Sequence, residues 1–235
     1  MVAVDDTKQV VTVPNPLLKP EHSTKYFASL QYFLEPSGII GLSAYQLEVK
    51  DMQVTGIEFK DPTDIGYSPD DYPGYRYRSA TNVPGVSINR GVTLEYDQQL
   101  TFLPGALRGL GLRGSITKID PDGERVNLPK TAANWGLRYS YGKFDVQLTG
   151  NAQGKYRTSA LSNTPSTSPN GILYHAAREL WNVSASYKIN RNFEVMLAGR
   201  NIFNAPDVIY SNVRDRVQQY SIYGSMWNIG VKGSF

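Results

Sequence analysis

The last seventeen residues, Gln219 to Phe235, constrain the fold more than any other segment. Counted back from Phe235 in steps of two, one row carries Val231, Ile229, Trp227 and Tyr223, with Gly233, Ser225 and Ser221 as small gaps. The other row carries Ser234, Lys232, Gly230, Asn228 and Gly224. Successive side chains of a strand point to opposite faces, so the segment predicts one apolar and one polar face. A barrel strand between lipid and a wet interior needs that arrangement. A half-buried sheet in a soluble protein shares the alternation, but here the pattern runs on to a terminal aromatic with no polar tail. A barrel is therefore expected.

Composition narrows the means of crossing a membrane. The 235 residues are 40% hydrophobic, with Gly 21, Tyr 16 and Pro 14, and they contain no long apolar run. A membrane helix needs about 20 consecutive apolar residues. Any membrane role therefore falls to strands, whose backbone groups are satisfied only in a closed barrel. With no cysteine, a disulfide framework and a thiolate metal site are excluded. The two histidines, His22 and His175, both fall in predicted loops, so no metal centre, cofactor or catalytic constellation is expected. A net charge of +3 from 24 basic and 21 acidic residues is too mild to suggest nucleic acid. The N-terminus shows no basic stretch followed by an apolar core, so either the chain is not exported or its own beginning is missing.

Period and turn residues divide the chain into about nine strands and almost no helix. The clearest hairpin sets Trp181, Val183, Ala185, Tyr187 and Ile189 against Asn182, Ser184, Ser186 and Lys188, turns at Asn190-Arg191-Asn192, and returns through Phe193, Val195 and Leu197. A second pairs Trp135, Leu137, Tyr139 and Tyr141 with Phe144, Val146 and Leu148 across Gly142-Lys143. A third runs from Val86 to Leu103, turns at Pro104-Gly105-Ala106 and returns through Leu110, Leu112 and Ile116, with Arg90 as a misfit in its apolar row. The first joins Thr24–Leu34 to Ile39–Lys50, where the phase of the second arm is unclear and suggests a bulge. Connections alternate between these short turns and long polar ones near residues 51–84, 120–129, 157–177 and 204–218. In an up-and-down sheet that sorts short turns to one rim and long loops to the other, as in outer-membrane barrels. Aromatic residues gather towards strand ends, where headgroup-level girdles would sit.

Three motifs resemble landmarks of the TonB-dependent outer-membrane receptors. Asn15-Pro16-Leu17-Leu18-Lys19-Pro20-Glu21-His22-Ser23 resembles the N-P-x-L-K-P-E-x-S stretch before a late barrel strand of that family. Gly199-Arg200-Asn201-Ile202-Phe203-Asn204 resembles its N-L-F-N element, and the strand ending in Phe235 resembles its last strand. The resemblance implies an all-β, antiparallel up-and-down transmembrane β-barrel portion, about nine strands of a 22-stranded barrel. Residues 24–235 would be the C-terminal portion of that barrel and residues 1–23 an extracellular loop or strand remnant, with the plug and earlier strands missing. Asn228, Gly230 and Phe235 match the signal read by the barrel assembly machinery, although Gly233 departs from it. Implied partners are outer-membrane lipid and lipopolysaccharide, the assembly machinery, the missing plug and strands, and TonB through the missing N-terminal part. Implied localisation is a Gram-negative outer membrane, and implied function is energy-coupled uptake of a siderophore, cobalamin or oligosaccharide, with no enzyme activity. A passive porin-like barrel and a soluble all-β binding module are the alternatives.

The 51–84 connection is the best place to look for ligand contact, although a surface loop packed on itself is the preferred reading. Tyr67, Tyr72, Tyr75 and Tyr77 alternate there with Arg76 and Arg78, beside Asp64, Asp70 and Asp71. Aromatic rings stack on sugars or flat chelates, and arginines pair with anions. Inward polar residues, Arg138, Asp145, Gln147, Asn182, Lys188, Glu194 and Arg200, would face the plug.

Overall fold

A computed structural model of the chain describes residues 2–121, 127–158 and 172–233, and these form strands, turns and two 3-10 segments, with no α-helix among them. Nine strands make one sheet: β1 (His22–Leu34), β2 (Gly38–Lys50), β3 (Val86–Gln99), β4 (Leu110–Pro121), β5 (Thr131–Tyr141), β6 (Phe144–Gln153), β7 (Arg178–Lys188), β8 (Phe193–Arg200) and β9 (Met226–Gly233). Spatial order follows chain order throughout, which leaves β1 and β9 as the two edges. The expected all-β, antiparallel up-and-down architecture is what the chain adopts.

Register turns the alternation of single strands into a property of the sheet. Across β4 to β9, Leu110, Tyr139, Val146, Ala185, Leu197 and Ile229 form one cross-strand row. The adjacent row on the other face is Gly111, Arg138, Gln147, Ser184, Ala198 and Asn228. A slip of one residue would exchange the two sets, so the apolar pattern pins the pairing. The apolar row is not a core. Ile229 is 79% exposed and Val231 66%, and among the described residues the buried apolar ones, Val10, Val11, Val13, Ile65, Tyr77 and Tyr210, all lie outside the nine strands. A soluble sandwich would bury one face of such a sheet; a membrane barrel leaves its apolar face to lipid.

The same rows reveal the strand tilt. Gln99 N–H donates to Ser37 O (3.0 Å) and Leu100 N–H to Leu110 O (2.7 Å), which carries the polar row back to the first turn. Ser37 lies within that turn, whereas Arg138 and Ser184 of the same row lie well above theirs. The short turns thus descend by about six residues over six strand spacings, and at about 3.3 Å per residue and about 4.8 Å per strand the tilt is roughly 35°. Outer-membrane barrels tilt by roughly 35–45°.

Aromatic rings occupy both ends of the apolar face. Near one end Trp135 meets Trp181 edge-on (5.5 Å) and Trp181 meets Phe203 (5.9 Å); near the other Phe144 contacts Tyr187 (4.9 Å) and Tyr139 stacks with Tyr141 (6.4 Å). Glycines make room for the indoles. A Cβ on Gly150 would collide with the Trp135 ring and one on Gly199 with the Trp227 ring, so each indole occupies the space over its cross-strand glycine.

Three local expectations are corrected. The terminal pattern does not form one strand from Gln219: Val217–Ser221 pairs with Asp207–Ser211, and β9 starts only at Met226. Gly224 between them has φ +77°, a left-handed conformation that breaks the period of two and removes Tyr223 from the row. The arm expected to reach Leu103 stops at Gln99, because residues 100–103 turn and Gly105–Gly109 forms a 3-10 segment. No bulge interrupts β2 between Gly41 and Tyr45. A Cβ on Gly41 would face Gln31 and Glu95, and one on Gly91 faces Tyr45, so both pairs share one phase and Tyr45 lies on the polar face.

The long connections are folded. Met1–Tyr26 and Gln46–Asn89 make one compact unit, with a sheet ordered Ala3–Asp5, Val10–Thr12, Arg76–Asn82 and Gln53–Phe59. The second unit contains the rest of the chain and a further small sheet ordered Tyr156–Arg157, Leu173–His175, Asp207–Ser211 and Val217–Ser221.

Candidate functional site

The first unit has its own core. Val11, Val13, Ile65 and Tyr77 are buried together, and Phe59, Tyr67, Tyr72 and Tyr75 pack against them. Val13 N–H donates to Arg78 O (2.9 Å), and Ser79 Oγ donates to Val13 O (2.6 Å). A 3-10 turn, Pro62–Ile65, delivers Ile65 to this core. Asp61 starts the turn by accepting from Thr63 Oγ (2.6 Å) and Thr63 N–H (2.9 Å). Those two bonds, the hydroxyl first, hold the Asp61 carboxyl below the usual carboxylate range.

The six proposed contact residues separate into two groups. Tyr77 is 3% exposed, donates its hydroxyl to Ser68 O (2.8 Å) and accepts from Tyr72 N–H (3.1 Å), so it is chiefly a core residue. Tyr67 packs on it at 6.3 Å. Tyr72, Tyr75 and Arg76 line a cleft of about 360 Å³ with Lys60, Pro62 and Pro69, and Tyr77, though buried, also borders it. Tyr72 and Tyr75 meet edge-on at 6.4 Å. Tyr75 donates its hydroxyl to Asp6 (2.7 Å), a bond that pushes its own ionisation upward. Arg76 sets Nη1 against both Glu58 oxygens (3.1 and 3.3 Å), while Arg78 lies 3.5 Å from the same carboxylate, outside the cleft lining. Two guanidiniums thus share one carboxylate, and within the lining Lys60 and Arg76 outnumber Glu58, so the cleft wall carries a surplus of positive charge.

Both internal motifs have a physical task. Asn15 Nδ2 donates to Ala80 O (2.9 Å) and its Oδ1 accepts from Leu17 N–H (2.8 Å). Lys19 exchanges two bonds with Asn82, and Glu21 accepts from Gln53 N–H (2.6 Å). The Asn-Pro-Leu-Leu-Lys-Pro-Glu segment is therefore fastened along the loop sheet. At the end of β8, Asn201 adopts φ +49°, accepts from Ala205 N–H (2.8 Å) and donates Nδ2 to Gly224 O (3.2 Å). Its own N–H donates to Asn182 Oδ1 (3.1 Å).

On the polar face of the sheet, Arg138 pairs with Asp145 at 2.9 Å across β5 and β6. A wide concavity of about 610 Å³ on the same face is lined by Glu95, Asp97, Arg113, Ser115, Asn134 and Asn151. Asn228 and Gly230 lie on the edge strand β9, whereas Phe235 falls outside the described residues. The sequence offered no sign of one further cluster: His175 and Asp207 lie 2.6 Å apart and Arg178 lies beside them. Their spacing along the chain follows no motif, and pairing of two long connections brings them together.

Residues 5–202 match the family model described as TonB dependent receptor-like, beta-barrel. Among solved structures, the siderophore receptor PirA from Acinetobacter baumannii is similar with a TM-score of 0.68 at 14% identity, over 96% of this chain and 33% of that one. The FrpB iron transporter from Neisseria meningitidis (F3-3 variant) has a TM-score of 0.64 at 15% identity, again over 96% and 33%. The copper transporter OprC has a TM-score of 0.62 at 17% identity, over 93% and 32%. The chain spans about a third of the length of these structures. No match is found among curated protein sequences.

Proposed function

We propose, from the premise that the chain belongs to the family of TonB-dependent receptor β-barrels, that it supplies nine wall strands and part of the ligand-facing mouth of an outer-membrane transporter for a metal chelate. The family consists of transporters of the Gram-negative outer membrane, not enzymes. Uptake would be driven through TonB, which this family engages with a region outside the residues described above. Lipid and lipopolysaccharide would cover the apolar rows, the assembly machinery would insert the sheet, and a plug would meet the polar face.

One observation carries this function: register sorts the sheet into a lipid-type face and a hydrated face over six consecutive strands. The ligand class rests on the cleft. Tyr72 and Tyr75 offer ring surfaces, and Lys60 and Arg76 against Glu58 leave net positive charge, which suits a flat chelate with anionic groups. The names of similar structures, a siderophore receptor, an iron transporter and a copper transporter, support the same class.

Uptake of radiolabelled iron, supplied as a panel of ferric chelates, tests this in cells expressing the complete receptor that contains this chain. At least one chelate should accumulate only when TonB is present, and Lys60→Ala with Tyr75→Ala should weaken its binding by about tenfold. Accumulation that persists without TonB would point to a passive pore. TonB-dependent growth on a cobalamin or an oligosaccharide, with no iron chelate taken up, would overturn the ligand class and leave the transporter intact.

A further inference from the structure

Two long connections, one between β6 and β7 and the other between β8 and β9, form a common four-stranded sheet in which Leu173–His175 pairs with Asp207–Ser211. Ala176 N–H also donates to Val208 O (2.9 Å), and Asn212 N–H to Ile172 O (2.9 Å). Against this backbone pairing sits a charged group largely withdrawn from water. The side chains of His175, Asp207 and Arg178 are 12%, 20% and 17% exposed. His175 Nε2 lies 2.6 Å from Asp207 Oδ1, and Arg178 Nη1 lies 3.6 Å from Asp207 Oδ2. Apart from this contact, Asp207 Oδ1 has no hydrogen-bond donor among the described residues.

The histidine ring is held on one face and at both nitrogens. Tyr156 stacks on it at 4.8 Å with an interplanar angle of 7°. Nδ1 lies 3.1 Å from Ala176 O, and Nε2 faces the carboxylate. Both ring nitrogens therefore face oxygen acceptors. A neutral imidazole has one N–H and one lone pair, so one nitrogen would set its lone pair against oxygen; the doubly protonated ring has a donor for each. The charged groups next to it are Asp207 and, across that carboxylate, Arg178, which donates to Ala205 O (3.2 Å) and lies over the Tyr223 ring (5.7 Å). Lys155 lies over Tyr174, and Arg157 pairs in register with Tyr174, so by strand alternation both belong to the opposite face of this small sheet.

We propose that His175, Asp207 and Arg178 form a proton-dependent clasp: the charged imidazole of His175 holds the connection after β6 to the connection after β8, so the two move as one body. Loss of the proton leaves Asp207 with Arg178 alone and turns a ring lone pair towards oxygen, which loosens the pairing of Leu173–His175 with Asp207–Ser211. The clasp is closed at low pH and slack at high pH. It does not depend on which ligand the transporter carries.

Hydrogen exchange of the receptor in detergent, corrected for the intrinsic pH dependence, reads this directly. Amides of 173–176 and 207–211 should exchange about tenfold faster at pH 8 than at pH 5.5, while β5 and β6 serve as the folded reference. His175→Gln should abolish that pH step, and Asp207→Asn should expose both strands at every pH. Equal pH dependence in the unmodified protein and His175→Gln would overturn the clasp. If His175→Gln does not fold, the His175 ring resonances of the unmodified protein decide the matter. A neutral ring at a pH where the two strands are protected overturns the proposal, and a doubly protonated one sustains it.

Discussion

Asn201 illustrates how much of a motif is visible before its partners are known. The sequence marks Gly-Arg-Asn-Ile-Phe-Asn as a landmark, yet the reason for an asparagine lies in Ala205, Asn182 and Gly224, the last of them 23 residues away. Asn201→Ala loses the side-chain bonds and sets alanine at a positive φ, so it should destabilise the protein by about 1–3 kcal/mol in denaturant unfolding from detergent. Asn201→Gly keeps the backbone conformation and should cost less; an equal loss would assign the whole effect to the hydrogen bonds. Asp61 gives a second test at this scale. Its folded carboxyl is held low by Thr63, so its contribution is complete above the ordinary carboxylate range and disappears as pH falls through the lowered value. Exchange of Gly66 and Tyr67 amides, which donate to Thr63 O and Pro62 O, should quicken on that acid limb, and Asp61→Asn should exchange quickly with no acid limb of its own. The tyrosines show where the sequence falls short. Tyr75 and Tyr77 lie two residues apart and read alike, but Val11 and Ile65 arrive from distant segments to bury Tyr77, leaving Tyr75 at the cleft.

Strands were the most legible elements, because period two is a local signal and a lipid-facing row must repeat it on every strand. β5 to β8 lie within a few residues of their expected bounds. The connections were not legible. Their small sheets rest on pairs such as Val10–Thr12 with Arg76–Arg78, a parallel match between residues far apart with too few positions to show a period. The early end of β3 and the break at Gly224 belong to the same class, being set by turn hydrogen bonds and one positive φ rather than by polarity. Two substitutions on β6 test the faces. Leu148 lies in the apolar row with Leu137 and Val183, and Gln147 lies beside it in the polar row with Arg138 and Ser184. Leu148→Arg should cost about 2–4 kcal/mol in lipid near the midplane, whereas Gln147→Arg should change stability by less than about 1 kcal/mol. Equal costs, measured by reversible unfolding in lipid vesicles, would mean the faces are wrongly assigned.

For the molecule as a whole, the consequence of an up-and-down sheet is directional: successive connections leave from opposite rims, so the short turns share one side of the membrane and the long connections the other. The chain has no cysteine, so an introduced thiol is unique among these residues, and the complete receptor without it, labelled in parallel, supplies the background. Val213, 54% exposed, lies between Asp207–Ser211 and Val217–Ser221 in the connection before β9. Leu107, 51% exposed, lies in the 3-10 segment of the turn between β3 and β4. The two side chains are similar in exposure, so a difference in labelling measures sidedness rather than accessibility. In intact cells expressing the complete receptor, a membrane-impermeant maleimide should label Val213→Cys and spare Leu107→Cys. Once the outer membrane is permeabilised, Leu107→Cys should label to a similar extent. Labelling of Leu107→Cys alone in intact cells would invert the orientation, and equal labelling of both would remove the sheet from the membrane altogether. The second outcome would count against the lipid-facing rows from which the transport function was argued, whereas the first would keep those rows and move the long connections to the inner rim.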